Sequence, residues 1–335
     1  MAKISWFGGH MARTVRELQD RLRMVDMVLE VRDARIPFSS ANPELEKLVR
    51  HKRRLLVLNK ADLAAPDKQQ AILHRLEEQK LQALFTSSQK RSSIQKLLQA
   101  VTSRLQQDKP KADMLMIMAV GIPNSGKSTL INALRHAAKL GKHNSSGGKA
   151  ATGATPGLTR HIAGFQVGER PTAFLMDTPG VMLPNVPNEQ TGMRLALTGA
   201  VKDSIVGEER LVRHLLLELA QQAIQSKGAN QKRMQWPGMA EGEKMSLLQE
   251  AVLSAVNAAS PAAGDAHASS SELQCDDTLT ILQSSQYDVD AGMAAFHLAM
   301  KQDMLDQDRM SAVYRKALAA YRTGDFGRYT LDSLP

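Results

Sequence analysis

Residues Gly121-Ile-Pro-Asn-Ser-Gly-Lys-Ser128 spell a complete G-x-x-x-x-G-K-S. Each fixed position has a mechanical reason. The glycines let backbone N–H groups turn toward the α- and β-phosphates of a nucleotide, Lys127 reaches the β/γ oxygens, and the Ser128 hydroxyl is placed to hold Mg²⁺. Asn124, Ser125, Gly126 and Thr129 complete the set expected against the phosphates. A second piece, Asn59-Lys60-Ala61-Asp62, carries base-reading chemistry. A carboxylate at Asp62 accepts hydrogen bonds from the N1–H and N2–H₂ edge of guanine, whereas adenine presents an acceptor at N1 and would leave buried groups unpaired. The two pieces together imply GTP rather than ATP. Their order is inverted: the guanine-reading piece usually follows the phosphate loop, and here it precedes it. Such an order implies a circularly permuted GTP-binding domain.

Further motifs complete the chemistry. Phe174-Leu-Met-Asp177-Thr-Pro-Gly180 is strand-like and ends in D-T-P-G, where Asp177 would hold Mg²⁺ through water and the Gly180 N–H would meet the γ-phosphate. Between the two phosphate-side motifs, residues 139–159 are rich in Gly, Ser and Lys without hydrophobic period, as expected of a switch segment. Within Thr155-Pro-Gly-Leu-Thr-Arg160, Thr159 is favoured as the hydroxyl that closes on the metal, with Thr155 and Thr152 as competitors. Thr86-Ser87-Ser88 is placed to offer backbone N–H to the guanine carbonyl; the alternative is a plain polar loop. Val181 occupies the position where many GTPases carry a water-orienting Gln, and a valine can neither donate nor accept a hydrogen bond. His10 is one candidate to align water in its place, against the alternative of a structural histidine. Asn124 offers a carbonyl that could hold a monovalent cation, K⁺, beside the β/γ-phosphates; the plainer reading is an ordinary loop Asn.

Regular elements must hold these pieces in place. The unbroken apolar run Met114-Leu-Met-Ile-Met-Ala-Val120 predicts a strand buried on both faces, followed after the phosphate loop by a helix over residues 129–138. Arg54-Leu-Leu-Val-Leu58 and Leu81-Gln-Ala-Leu-Phe85 predict two more strands, each ending at a base-side motif. Near the N-terminus, Val15, Leu18, Leu22 and Val25 form the apolar stripe of a helix that carries Arg13, Arg16, Arg21 and Arg23. After Thr198-Gly199 the pattern turns helical, with Leu211, Leu215, Glu218 and Leu219 marking a helix that breaks near Gly228. A last helix over residues 304–322 carries Leu305, Val313, Ala317 and Tyr321 on its apolar stripe, and Arg315, Lys316 and Arg322 outside it. Residues 258–272, rich in Ala and Ser, predict a solvated insertion.

The charge is uneven. The chain of 335 residues has a net charge of +9, but residues 1–112 hold 22 basic and 12 acidic side chains while residues 201–335 hold 13 and 18. A basic excess on the nucleotide-binding half attracts phosphate backbones through counterion release, and the same field would attract acidic proteins or lipid headgroups. Folded RNA is favoured because aromatic residues, 4% of the chain, are too few for a single-strand stacking platform. A lone cysteine, Cys275, excludes an internal disulfide and suits a reducing compartment. No apolar run approaches the length of a membrane span.

In combination, Trp6-Phe-Gly-Gly-His-Met-Ala12, Val31-Arg-Asp-Ala-Arg-Ile-Pro37, Asn42-Pro43, Leu56-Val-Leu-Asn-Lys-Ala-Asp62, the phosphate loop, Thr155–Arg160, Leu175–Val181, Leu197-Thr-Gly-Ala-Val-Lys-Asp203 and Phe326-Gly-Arg328 resemble the YlqF/RbgA-type circularly permuted GTPases. These are bacterial factors for late assembly of the large ribosomal subunit, with a mitochondrial counterpart. The resemblance implies an α/β P-loop GTPase domain over residues 1–204, with a guanine-reading half 1–112 and a phosphate-loop and switch half 113–204. A C-terminal α-helical domain that binds ribosomal RNA would follow over 205–335, with a flexible insertion near 228–275. It further implies a potassium-stimulated, Mg²⁺-dependent hydrolase activated by the large subunit, with His10, Thr159 and Gly180 at the reaction centre. Gly8 stands where the family usually has Pro, which predicts a less rigid loop before His10. The expansion between the helices leans the location toward the mitochondrial matrix, peripheral attachment to the inner membrane and the bacterial cytoplasm being the alternatives.

Overall fold

Seven consecutive buried residues, Met27–Asp33, form β1, and their alternation shows why the strand is covered on both faces. Met27, Leu29 and Val31 join one hydrophobic cluster, while Val28 joins another on the opposite side. Successive side chains of a strand point to opposite faces, and both faces of β1 are buried even where Glu30 and Arg32 interrupt the apolar run, so the strand is covered above and below. The structure, a computed structural model, describes residues 18–108, 114–143, 164–169, 172–176, 186, 188–227, 307–325 and 328–332. From β1 the chain continues through α1 (Pro43–Val49), β2 (Arg53–Asn59), α2 (Gln69–Glu78), β3 (Ala83–Phe85), α3 (Arg91–Asp108), β4 (Met114–Val120), α4 (Lys127–His143), β5 (Gly164–Glu169) and β6 (Thr172–Met176). Then come α5 (Glu189–Leu197), α6 (Asp203–Val206), α7 (Glu208–Lys227) and α8 (Gln307–Thr323).

The six strands order as β3-β2-β1-β4-β6-β5, parallel except for β5, which runs antiparallel to β6. Strands before the phosphate loop thus fan out to one side and those after it to the other. The order reverses between β1 and β4, and a crevice beyond the C-terminal ends of strands at such a reversal is where α/β sheets bind ligands. Leu97, Val101 and Leu105 of α3 and Leu130, Ile131 and Leu134 of α4 cover one face. Leu18, Leu22 and Val25 from the N-terminal helical stretch cover the other with Leu45 and Val49 of α1. Asn42 starts α1 by accepting hydrogen bonds from the Glu44 and Leu45 N–H groups, with Pro43 in the first turn.

The chain divides into two compact units, Met1–Ile205 with Arg328–Pro335, and Val206–Gly327. Within the second, α7 buries Leu211, Val212, Leu215, Leu216 and Leu219, and α8 buries Tyr314, Ala317, Leu318 and Tyr321. Gly324, at φ 90°, ends α8 where a left-handed residue is required, and the Gly324 and Asp325 N–H groups return to the Ala320 carbonyl.

One expectation is corrected. Residues 328–335, read from sequence as part of the helical domain, group with the first unit. The Tyr329 N–H donates to the Leu63 carbonyl and the Leu331 N–H to the Arg35 carbonyl. The buried Asp332 carboxylate accepts from the Phe38 N–H at 2.6 Å, the Ser39 N–H at 2.9 Å and the Ser39 hydroxyl, and pairs with Arg194 at 3.5 Å. Backbone pairing, which leaves no periodic trace in the sequence, decides the placement.

Candidate nucleotide site

The phosphate loop leaves β4 through Gly121, at φ 154°, where a Cβ would lie 2.2 Å from the Val31 carbonyl oxygen. Gly126, at φ 87°, is equally constrained: a Cβ there would come within 2.4 Å of the Asn59 amide nitrogen. Both glycines are therefore required by close approach of backbone or side chain as well as by φ. The buried Ser125 hydroxyl donates to the Ile122 carbonyl at 3.0 Å, and Lys127 Nζ donates to the same carbonyl at 2.7 Å. Helix α4 begins at Lys127, so its first N–H groups belong to the loop, and Ser128 and Thr129 are exposed there.

Asn59, at the end of β2, joins the two motifs. Its Nδ2 donates to the Ser125 carbonyl at 3.1 Å and the Gly126 carbonyl at 3.4 Å, while its Oδ1 accepts from the Ser88 hydroxyl at 2.8 Å. Lys60 follows at φ 61° and donates from Nζ to the Asn124 carbonyl at 2.7 Å. A non-glycine residue in the left-handed region costs about 1–2 kcal/mol, and here that conformation aims the lysine stem back across the phosphate loop. The Asp62 carboxylate is partly exposed and has no hydrogen bond to protein among the described residues. The Ser87 N–H donates to Ser93 Oγ at 2.9 Å, so within that pair only the Ser88 N–H has no protein partner among the described residues.

Two residues to which sequence reasoning assigned no role support this arrangement. Asp33, the last residue of β1, pairs with Lys60 Nζ at 3.0 Å and receives Arg35 through Nε at 3.0 Å and Nη2 at 2.9 Å. Burial alone would raise its pKa, but the Arg35 and Lys60 charges and the Arg35 hydrogen bonds together hold the carboxyl well below the usual carboxylate range. Lys60 is thus anchored at one carboxylate while it bridges to the phosphate loop. Opposite charges two apart, Asp33 and Arg35, at the end of the strand were the one local signal.

The structure brings together Asn59, Lys60, Ser88, Asn124, Ser125 and Gly126. His10, Thr152, Thr155, Thr159, Asp177, Gly180 and Val181 lie outside the described residues. For Mg²⁺, Ser128 is the described hydroxyl expected to bind. Among the described residues no group of three or more His, Cys, Asp or Glu could hold a metal ion by itself. Asn124 sits at φ 56° and donates from Nδ2 to the Gly199 carbonyl at 2.6 Å, leaving its Oδ1 with no protein partner among the described residues.

The family described as 50S ribosome-binding GTPase matches residues 116–236. The protein called Ribosome biogenesis GTPase A of Bacillus licheniformis is 40% identical over 210 residues, which cover 61% of this chain and 70% of that one. The chain belongs to this family of circularly permuted, ribosome-associated GTPases. Mitochondrial ribosome-associated GTPase 1 of Mus musculus is another member, 44% identical over 220 residues, 64% of this chain and 66% of that one. Across relatives from Arabidopsis thaliana, mouse and Bos taurus the matched stretch spans 56%, 66% and 65% of their own length. GNP-bound YlqF from T. maritima is similar in fold, with a TM-score of 0.54 at 18% identity over 96% of this chain and 97% of that one. Family membership accounts for the motif order: the GTPase sheet is read here from a different starting strand, and the Asn59 amide closes the site across the rearranged connection.

Proposed function

We propose that the protein hydrolyses GTP to GDP and phosphate as a late assembly factor of the large ribosomal subunit. The observation that supports this reading is the junction of Asn59 and Lys60 with the phosphate loop, through the Ser125 and Asn124 carbonyls, which joins the two motifs expected to read guanine and bind phosphate. Asp62 selects guanine, Ser87 and Ser88 flank the base, and Lys127 with the loop N–H groups holds the phosphates. Ser128, Thr159 and Asp177 would hold Mg²⁺, which would supply charge compensation for the phosphates. In the GTP state, segments around Thr159, Asp177 and Gly180 close on the γ-phosphate and favour binding to subunit RNA and proteins; hydrolysis relaxes them and releases the factor.

Val181 offers no polar atom to the attacking water. His10 would align that water in this reading, and the Asn124 side-chain Oδ1 would hold K⁺, which would supply positive charge near the phosphates. The uncommitted Oδ1 supports the second role. A His10→Ala protein is expected to retain GTP and subunit binding and to lose subunit-stimulated turnover; unchanged stimulated turnover removes His10 from the reaction. The place of action is the mitochondrial matrix, in keeping with the mitochondrial relatives, and the bacterial relative makes the bacterial cytoplasm the alternative. The basic excess of residues 1–112 favours one second reading, a regulatory GTPase peripheral to the inner membrane.

Co-sedimentation with purified large subunits separates the two readings. The protein should pellet with large subunits in a non-hydrolysable GTP analogue and stay in solution with GDP. Equal pelleting in both states, or pelleting only with anionic vesicles, contradicts the assembly reading.

A further inference from the structure

At the end of the sheet opposite the nucleotide crevice, the C-terminal turn of α1, the start of β2 and the approach to β3 enclose an open cleft of about 620 Å³. Lys47, Arg50, Lys52, Arg54 and Lys80 line it, and Glu46 is the one carboxylate among the lining residues. Deeper charges are balanced. Arg54 pairs with Glu30 at 3.1 Å, while Arg32 pairs with Glu30 and with Glu46, each at 2.6 Å. The outer cations are not balanced in this way. Lys47 has an exposed pair with Glu44 at 2.8 Å, a contact of little strength in water. Arg50, Lys52 and Lys80 have no carboxylate within ion-pair distance among the described residues. Lys52 is instead steered by donating to the Val25 carbonyl at 2.9 Å.

Lys80 supplies an independent indication. It ends α2 at φ 59°, its N–H on the Glu77 carbonyl and the Leu81 N–H on the Leu76 carbonyl. That is the left-handed helix-ending position which Gly or Asn occupies at lower cost, by about 1 kcal/mol. A lysine held there against local preference, on the rim of a cation-lined cleft, marks a site where its charge has a use. No aromatic residue lines the cleft, so it offers bases no aromatic platform. Its exposed cations suit the phosphodiester backbone of a folded RNA helix, which is recognised by shape and charge.

We infer that this cleft is an RNA-backbone docking surface, so that the guanine-reading half of the GTPase domain grips RNA at one end of the sheet while it reads nucleotide at the other. The inference rests on the ribosomal reading above and names the surface that reading requires. The test uses the full chain and a fluorescein-labelled RNA stem-loop, with anisotropy measured across a KCl series. A Lys47→Gln/Arg50→Gln/Lys80→Gln protein should bind roughly tenfold or more weakly, and its slope of log affinity against log salt should shrink by about 2–3, the amount for three lost phosphate contacts. Its GTP affinity should be unchanged, which also reports that it is folded. A Lys90→Gln/Arg91→Gln/Lys96→Gln protein, altered to the same extent in charge at the start of α3, should keep the wild-type slope. Equal losses in both variants, no loss in the cleft variant, or no RNA binding by the wild-type chain overturns the proposal. Loss of binding to cardiolipin vesicles with an unaltered RNA slope also overturns it, assigning the cleft to lipid. Failure of the cleft variant to differ while large subunits still stimulate GTP turnover sinks this surface alone; absence of stimulation sinks the ribosomal reading.

Discussion

At the C-terminal ends of the strands, Lys60 and Arg35 share the Asp33 carboxylate, and Lys60 and Asn59 spend their remaining donors on the phosphate loop. At the opposite ends, Arg50, Lys52 and Lys80 surround a cleft with no carboxylate within ion-pair distance among the described residues. The first arrangement uses charge to hold loops in left-handed conformations they would not otherwise keep. The second leaves charge facing outward. Buried, mutually satisfied ions specify a geometry, whereas exposed ions of one sign specify a partner.

The largest effect expected from breaking this contrast comes from Asp33→Asn. It leaves Arg35 and Lys60 without their counter-charge and should cost about 3–5 kcal/mol in urea unfolding, with a marked loss of nucleotide affinity. Because Asp33 binds its proton more weakly folded than unfolded, its stabilising contribution is present above the ordinary carboxylate range, near pH ~4, and is lost as pH falls toward its depressed folded value. The variant should therefore lose part of the acid limb of the stability–pH profile; an identical limb in both proteins would contradict the pairing. Next in size is Gly126→Ala. Its Cβ would displace the Asn59 amide from a backbone already at φ 87°. A cost of about 2–3 kcal/mol is expected, together with weakened GDP and GTP binding by calorimetry.

The smallest effect tests the cleft end and runs the other way. Lys80→Gly should raise stability by about 1 kcal/mol by relieving the left-handed lysine, while weakening binding to the RNA stem-loop. A substitution that stabilises the fold and harms binding separates a functional residue from a structural one. A loss of stability would mean that the lysine stem packs in a way its φ does not reveal.

Much of the nucleotide end was legible in the sequence because its signals are local. The apolar run at 114–120 coincides with β4, and the run at 54–58 lies within β2. The phosphate loop and the guanine-reading piece each follow their strand directly. The role of Asp33 was not legible, since a charged pair at a strand end reads equally as solvated surface; only the fold brings Lys60 to it. The cleft was hidden for a related reason: Lys47, Lys52 and Lys80 come from α1, the loop before β2 and the end of α2, and no window of sequence contains them together. The return of residues 328–332 was missed because its contacts run through backbone groups and one buried carboxylate, Asp332, which carry no periodicity.

The most direct test of the account is GTP turnover by the full chain, in Mg²⁺ and potassium, with purified large ribosomal subunits from its own compartment. Small subunits and sodium buffer serve as controls. Stimulation by large subunits alone, and in potassium more than in sodium, is the expected result. Turnover unaffected by large subunits, with GTP binding intact, would contradict it.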